Sequence, residues 1–408
     1  MKSAKPPDRA LRADQVKQPP MRGRYFVRHK GFNRLFRMLD AVLGMFVYLR
    51  PLQESRPARR ILIANGAHLG DVVLSTAVLP AIREAFPEAR IGMLVGSWSR
   101  PVVRDHPMLD WVHTVDHWKI SRARISLWEK MKVYWRTRRQ ALGEMREIGY
   151  DVAVDLYFYF PNAFLLLRQA GIPQRIGYTS GGFGPLLTRS LDLTLGTRSV
   201  VEYHCDLLRL IPGGERLNRA HARPVLPRVS FDVARVVGAG AYVVLHMGSG
   251  SPLKDWPLEK WRELALALVA RGRRLVFTGS GERERLQIEA LLAEVDGNVN
   301  LCDRLKWPEF VEVVGGASLL VGVDSVAGHV AAAVGTPVIV VGHGMNNPVL
   351  WRPLADRSIV LTHPMPCAPC YRKTGCATLD CIRGLAPELV MAEVDRLFAA
   401  PVRRNAEH

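Results

Sequence analysis

A strand–helix–strand pattern between residues 319 and 342 constrains the fold of this chain more than any other feature. Leu319–Val323 and Val338–Val341 are continuous apolar runs of strand length, which is typical of parallel strands covered on both faces. A short helix is predicted between them. Asp324 and Ser325 favour its start, and the Gly and Pro before the second strand favour its end.

The start of this helix is a candidate ligand site. A helix that begins at the carboxyl end of a parallel strand presents unpaired N–H groups and a positive dipole end to an anion. We therefore expect the phosphate end of a nucleotide sugar at Asp324 and Ser325. The alternative is an ordinary βαβ unit with a capping aspartate, because one short motif is not specific.

Length and composition favour a two-domain α/β protein. The 408 residues alternate between apolar runs and helical patterns. No stretch reaches the roughly eighteen uninterrupted apolar residues of a membrane span, and the polar, Pro-rich N-terminus lacks a signal-peptide core, which predicts a cytoplasmic protein. The net charge of +18 and the pI of about 10.0 imply an anionic partner, whether nucleic acid, a membrane surface or an acidic substrate.

Residues 1–58 form a basic extension with thirteen Lys or Arg against four Asp or Glu, a net charge of +9. Its first part, through Arg24, has the composition of a disordered segment. Beyond it, apolar residues recur at helical spacing, namely Phe32, Leu35, Phe36, Leu39, Leu43 and Phe46. This basic amphipathic helix either lies in an anionic leaflet, helped by Arg28, Lys30, Arg34 and Arg37, or packs on the body of the protein.

Residues 59–228 read as the first globular domain. The predicted strands are Ile61–Ala64, Ile91–Val95 and Val152–Leu156, and the stretch Pro212–Arg228 resembles an interdomain linker. A helix over Asp71–Phe86 contains Pro80, which should kink it. Asp71 lies at the junction of loop and helix. It is either an N-cap or a carboxylate facing an interdomain cleft.

The stretch Trp118–Arg139 mixes cations with aromatic residues. Such a charge run is usually a solvated helix face. The functional alternative is a patch that contacts a phosphorylated, lipid-linked acceptor or the membrane.

Residues 229–408 read as the second domain, with strands at Tyr242–His246 and Arg274–Thr278. Gly248–Ser251 is a Gly/Ser loop suited to close approach of a ligand, and Lys254 follows it immediately before a helix that Pro257 should start. Glu282 and Glu284 begin the next helix. They either complement its dipole or reach a ribose.

Three separated stretches now point to one family. They are Arg60–Pro87 with LGDVVLSTAVLPAIREAFP, His246–Trp261 with HMGSGSPLKDWPLEKW, and Val321–Pro337 with VGVDSVAGHVAAAVGTP. Together they resemble glycosyltransferase family 9, the ADP-heptose:lipopolysaccharide heptosyltransferases, over most of residues 59–395. The resemblance implies a GT-B fold of two facing Rossmann-like domains with parallel sheets. It also implies an ADP-sugar donor on the C-terminal domain, a lipid A-core acceptor on the N-terminal domain, and inverting transfer without a metal.

The resemblance also implies roles for individual residues. The family's catalytic aspartate falls on Asp71, and its phosphate-binding lysine falls on Lys254. Val326 stands where the family usually has glycine, so backbone freedom at positive φ is lost there. The predicted donor-binding residues are Ser249, Gly250, Ser251, Glu282, Leu305, Asp324, Ser325, Val326, Ala327 and His329. The predicted acceptor-binding residues are Gly70, His68, Arg122 and Arg124.

These roles predict a coherent mechanism. Asp71 would take the proton of the acceptor hydroxyl, while Lys254 and the helix start near Ser325 would receive the charge that develops on ADP. The resemblance places such an enzyme at the inner membrane, with an anionic leaflet and a lipid-linked glycan rather than nucleic acid as its partners. The alternatives are an inactive GT-B protein that binds a polyanion and a GT-B nucleotide-sugar epimerase.

Four cysteines cluster near the C-terminus, at Cys367, Cys370, Cys376 and Cys381. In a cytoplasmic chain such clustering favours a structural zinc over disulfides. The spacing of the second pair is not that of a standard zinc ribbon, so a reduced cluster that packs a loop is the alternative.

Overall fold

The computed structural model describes residues 24–26, 30–48, 57–295, 297–372, 374 and 376–399, with the side chains of 46–48 excepted. The described chain divides into two compact units, one ending at Pro227 and the other beginning at Arg228. The segment expected to be disordered lies almost wholly outside the described residues, as do Arg28 and the side chain of Phe46.

The first unit is built on a six-stranded parallel sheet with the order β3-β2-β1-β4-β5-β6. Its central strands are apolar and buried, as expected for a sheet covered by helices on both faces. The strands are β1 Arg60–Asn65, β2 Arg90–Val95, β3 Trp111–Thr114, β4 Val152–Asp155, β5 Gln174–Tyr178 and β6 Arg189–Leu191. The helices are α1 Lys30–Tyr48, α2 Leu69–Thr76, α3 Val78–Ala85, α4 Arg100–Val103, α5 Leu127–Ile148, α6 Phe164–Gln169 and α7 Val200–Leu208.

Two helices of this unit differ in detail from the sequence expectation. The helix predicted over Asp71–Phe86 is interrupted at Ala77, and Pro80 is the third residue of α3. The basic-aromatic stretch Trp118–Arg139 is helical only from Leu127, because Ser126 and Glu129 form a capping box there.

Helix α1 packs on the body of the first unit. Phe36 is only 4% exposed, and its ring lies 5.3 Å from that of Phe160 and 6.0 Å from that of Phe183. The carboxylate of Asp40 accepts hydrogen bonds from the Phe183 N–H at 2.7 Å and the Tyr25 hydroxyl at 2.8 Å. The interpretation that this helix packs on the body of the protein is therefore confirmed for one of its faces.

The second unit repeats the same topology with the order β12-β11-β10-β7-β8-β9, again all parallel. The strands are β7 Tyr242–His246, β8 Arg274–Thr278, β9 Val299–Asn300, β10 Leu319–Val323, β11 Val338–Val341 and β12 Ser358–Leu361. The helices are α8 Val233–Val237, α9 Leu258–Ala270, α10 Glu282–Leu292, α11 Trp307–Gly315, α12 Val326–Val334, α13 Asp380–Arg383 and α14 Pro387–Ala399. The expected pair of Rossmann-like parallel sheets is confirmed.

This topology determines where the polar residues of each unit meet. The strand order reverses next to β1 in the first unit and next to β7 in the second. Ligands of open α/β sheets bind at such switch points, beyond the carboxyl ends of the strands. We therefore expect functional residues in four loops, namely those after β1, β4, β7 and β10. No described helix is both long and apolar enough to cross a membrane.

Candidate active site

The residues of the second unit that the sequence predicts to bind the donor are centred on the carboxylate of Asp324. Lys254 follows β7 and Asp324 follows β10, and these strands are neighbours in the sheet. The Lys254 ammonium therefore reaches Asp324 Oδ2 at 2.7 Å and the Asp324 carbonyl oxygen at 3.3 Å. His343, which follows β11, places Nε2 at 2.9 Å from the same carboxylate oxygen.

The hydrogen bonds fix the protonation of this cluster. The Met345 N–H donates to His343 Nδ1 at 3.0 Å, so Nε2 carries the proton and donates to Asp324. Burial opposes ionisation of Asp324, but Lys254 and His343 together hold the pKa of its carboxyl well below the usual range. Asp324 is thus ionised and holds a cation in place, and the alternative of a capping aspartate is wrong.

The start of α12 lies next to this cluster. Ser325 occupies the N-cap position with extended backbone, but its side chain makes no capping hydrogen bond. Its hydroxyl and Nδ1 of His329 are buried without a hydrogen-bond partner in the described part of the chain. Burial also lowers the pKa of His329 to about 4, so the ring is neutral. Unsatisfied buried polar atoms beside a helix N-terminus are suited to a ligand that supplies the missing hydrogen bonds.

The substitution of glycine by Val326 leaves the backbone unstrained. Val326 is the first residue of α12, with Ala327 next, and it is not among the residues with positive φ. The conformation at this position is one that valine adopts without strain, so positive φ is not required there.

The loop after β7 is closely packed against α10. A Cβ added to Gly248 would lie 1.8 Å from Cδ of Glu284, so a larger residue there would displace the Glu284 carboxylate. Glu284 is buried and accepts a hydrogen bond from the Ser280 N–H at 2.9 Å, whereas Glu282 is exposed. Of the two acidic residues, Glu284 is therefore the one that contacts the loop.

The remaining donor candidates surround this loop or lie elsewhere in the second unit. The Ser249 hydroxyl bonds the backbone of Ser251, which fixes the turn around Gly250. Leu305 is half-buried in the segment before α11.

In the first unit, three of the residues that the sequence predicts for catalysis and acceptor binding lie at the start of α2. His68 is the N-cap, and its N–H donates to Asp71 Oδ2 at 3.1 Å. Asp71 is thus the third residue of the helix, with Gly70 before it, and not the N-cap itself. The position of a carboxylate in this turn is favourable because of the helix dipole.

Tyr157, in the loop after β4, interacts electrostatically with Asp71. The pKa of Tyr157 is raised by burial and, next, by the negative charge of Asp71. Buried Asp155 holds this loop by accepting the N–H groups of Tyr157 at 3.0 Å and Ala163 at 2.6 Å. Arg122 and Arg124 are exposed in the segment between β3 and α5.

The four clustered cysteines do not form a metal site in the described residues. There, no group of three or more His, Cys, Asp or Glu side chains is arranged to hold a metal ion. The cysteines are free thiols, with Cys381 buried, Cys370 and Cys376 half-buried and Cys367 exposed. The geometry thus does not fit the expected zinc, although Lys373 and Gly375 of this loop lie outside the described residues.

Two Rossmann-type units with candidate residues at their switch points define a GT-B-like glycosyltransferase fold. The chain belongs to glycosyltransferase family 9 (heptosyltransferase), whose profile matches residues 138–379, more than half of its length. It is a glycosyltransferase, as the resemblance implied.

Individual relatives agree with this assignment. The chain is 27% identical to lipopolysaccharide heptosyltransferase 1 of Pseudomonas aeruginosa over 77% of this chain and 87% of that protein. Its fold is similar to that of the family 9 glycosyltransferase from Veillonella parvula, with a TM-score of 0.70, 19% identity, and coverage of 84% and 98% of the two chains. It is also similar to an E. coli heptosyltransferase solved with ADP-2-deoxy-2-fluoro heptose, with a TM-score of 0.61, 18% identity, and coverage of 83% and 99%.

Proposed function

We propose that this protein transfers heptose, or a related sugar, from an ADP-sugar to the core of lipopolysaccharide with inversion at the anomeric carbon. The observation that carries the proposal is the Lys254–Asp324–His343 cluster beside the start of α12, in a chain of family 9. The names of its relatives, lipopolysaccharide heptosyltransferases, support the sugar and the acceptor.

The donor-side residues are suited to hold a diphosphate. Lys254 supplies a fixed cation, and the first N–H groups of α12, at Val326 and Ala327, have no partner within the helix. The hydroxyl of Ser325 and the ring of His329 offer further polar atoms. When the bond between the anomeric carbon and the diphosphate breaks, these groups receive the charge of the departing ADP.

The acceptor side supplies the base. Asp71 takes the proton of the acceptor hydroxyl as its oxygen attacks the anomeric carbon from the face opposite ADP. Because the cation and the helix start stabilise the leaving group, the proposed reaction needs no metal ion.

The lipid-linked acceptor places the proposed reaction at the cytoplasmic face of the inner membrane. The enzyme would act there as a peripheral protein.

The proposal is tested by incubating the purified protein with ADP-heptose and a heptose-deficient lipopolysaccharide core. We expect a product with one additional heptosyl residue by mass spectrometry, an inverted anomeric configuration by NMR, and activity that persists in a chelator. Asp71→Asn should lower kcat by about a hundredfold or more and leave ADP-heptose affinity unchanged, because the variant keeps the shape of the base but cannot accept the proton.

Asp105→Asn is the matched control, because its side chain is 86% exposed on the same unit. Full activity of Asp71→Asn would contradict the assignment of the base. Conversion of ADP-heptose to an epimer without acceptor would favour the epimerase, and tight polyanion binding without turnover of any ADP-sugar would favour the inactive binding protein.

A further inference from the structure

The exposed side of α1 carries an apolar stripe that the sequence pattern did not separate from the packed face. Asn33, Phe36 and Asp40 are buried against the body of the unit. A different set with the same helical spacing is exposed, namely Phe32, Leu35, Met38, Val42 and Met45, with exposed fractions between 44% and 67%. Helix α1 is therefore anchored through one face and presents a second apolar face to solvent.

Cations border this stripe on the same helix. Lys30, Arg34 and Arg37 are exposed and follow each other at spacings of four and three residues. The only acidic residue of α1, Asp40, is buried in its hydrogen bonds to Tyr25 and Phe183. The exposed surface of α1 thus carries apolar side chains and cations but no acidic side chain.

Helix α5 carries a second exposed stripe of similar chemistry. Trp128, Lys132, Trp135 and Arg139 are all exposed and recur at spacings of four, three and four residues. The ammonium of Lys132 lies 5.4 Å from the centre of the Trp128 ring. Tryptophan and lysine side by side are typical of the boundary between lipid headgroups and acyl chains.

One aromatic cluster anchors both helices. Phe36 of α1 contacts Phe160, whose ring lies 6.3 Å from that of His117. His117 in turn lies 4.9 Å from Tyr134 of α5, the neighbour of exposed Trp135. Lys119 also lies over the Phe160 ring, with Nζ at 4.6 Å from its centre. The two stripes therefore lie on helices that contact the same aromatic cluster.

We propose that the exposed faces of α1 and α5 together form a docking surface for an anionic lipid membrane. This inference rests on the proposed function and names the surface by which the enzyme would reach its lipid-linked acceptor. An exposed apolar stripe bordered by cations fits acyl chains below anionic headgroups. It does not fit nucleic acid, because the aliphatic side chains of α1 offer a phosphate backbone no hydrogen bond.

The test uses the full-length protein without donor or acceptor. Its partition onto vesicles of phosphatidylglycerol and phosphatidylethanolamine is compared with that onto phosphatidylcholine vesicles by cosedimentation at several salt concentrations. We expect strong, salt-sensitive binding to the anionic vesicles only. Leu35→Glu with Val42→Glu should lower the partition by about tenfold or more, because two apolar anchors are replaced by charges that anionic lipid repels.

Trp128→Ser with Trp135→Ser should also lower the partition, with a change in the fluorescence of bound wild-type protein as a second readout. Leu286→Glu, an exposed leucine of α10 on the other unit, is the matched control and should bind as wild type does. Thermal unfolding checks that each variant is folded. If Leu35→Glu with Val42→Glu is not, Arg34→Gln with Arg37→Gln takes its place and should weaken binding mainly at low salt.

Wild-type binding that is equal on both kinds of vesicle, or folded stripe variants that bind like wild type, would overturn the proposal. So would a concentration-dependent dimer that the α1 variant abolishes without any vesicle binding, because the stripe would then pack on a second copy. Vesicle binding by a protein that transfers no sugar would support the surface and contradict the proposed function. A stripe variant that still glycosylates a deacylated, water-soluble acceptor would support both.

Discussion

Asp324 contributes more than the start of a helix, because its carboxylate binds two other side chains. Its neighbour Ser325 occupies the capping position, which leaves the Asp324 carboxylate to hold Lys254 and His343. The side chain of a lysine has several rotatable bonds, so fixing the position of its ammonium group costs conformational entropy. Because Asp324 holds the Lys254 ammonium in the free protein, Lys254 is already oriented for the diphosphate that we propose it binds.

Replacing Lys254 by methionine tests this role. The variant removes one charge-assisted partner of the diphosphate, worth about 1.5–3 kcal/mol, so ADP affinity should fall roughly ten- to hundredfold. Isothermal titration calorimetry with ADP measures it. Arg262→Met removes a cation of the same unit that pairs with Glu294 at the surface, and it should leave the affinity unchanged. Equal ADP affinity in Lys254→Met and wild type would remove Lys254 from the donor site.

The sequence predicts some residues of this cluster and not others. Lys254 and Asp324 each follow an apolar strand within a family motif, so their meeting follows from neighbouring parallel strands. His343 was missed because nothing in its surroundings marks it as a ligand. The sequence could have indicated it through its position two residues after the end of β11, at the carboxyl edge of the sheet where polar side chains meet. Periodicity alone does not show which residue of a first helical turn is buried, so the sequence could not distinguish buried Glu284 from exposed Glu282.

At the scale of elements, the strands were easier to predict than the helices. The ranges Leu319–Val323, Val338–Val341, Tyr242–His246 and Arg274–Thr278 are reproduced by the structure residue for residue. A continuous apolar run bounded by polar residues indicates clearly where a buried strand begins and ends. Helix α1 is different, because apolar residues surround most of it and the sequence cannot tell which of them face the body.

Helix α1 therefore offers a sharp comparison between its two faces. Phe36→Ala should lower the free energy of unfolding by about 3–5 kcal/mol, since it removes a buried ring from a cluster with Phe160 and Phe183. Met38→Ala lies on the same helix at 66% exposure and should change it by about 0.5 kcal/mol or less. Urea denaturation of the full chain, followed by circular dichroism, measures both. Equal effects of the two substitutions would show that α1 is not docked through Phe36.

At the scale of the whole molecule, one topology is used twice with different chemistry at its switch points. The first unit places an acidic side chain after β1, and the second places a lysine after β7. The repetition could be predicted from the alternation of strands and helices. The docking of the extension was only one of two interpretations, because its contacts to Phe160 and Phe183 are more than a hundred residues away in sequence.

This long-range docking changes what a truncation of the basic extension should do. Deleting residues 1–58 removes Phe36 and Asp40, which uncovers the rings of Phe160 and Phe183 and leaves the Phe183 N–H without its acceptor. A loss of several kcal/mol corresponds to a melting temperature lower by roughly 10 °C in a unit of this size. Deleting residues 1–22 removes six of the thirteen cations and keeps α1, and its melting temperature should match that of the full chain.

Differential scanning calorimetry of the three proteins measures the difference. A 1–58 deletion that melts like the full chain would show that α1 adds nothing to the stability of the first unit. The membrane-binding test of the exposed stripe would then concern a helix that is not held on the first unit. If the longer deletion alone is destabilised, a loss of vesicle binding in that protein is no evidence for the lipid surface, and only the point variants on the exposed face can supply it.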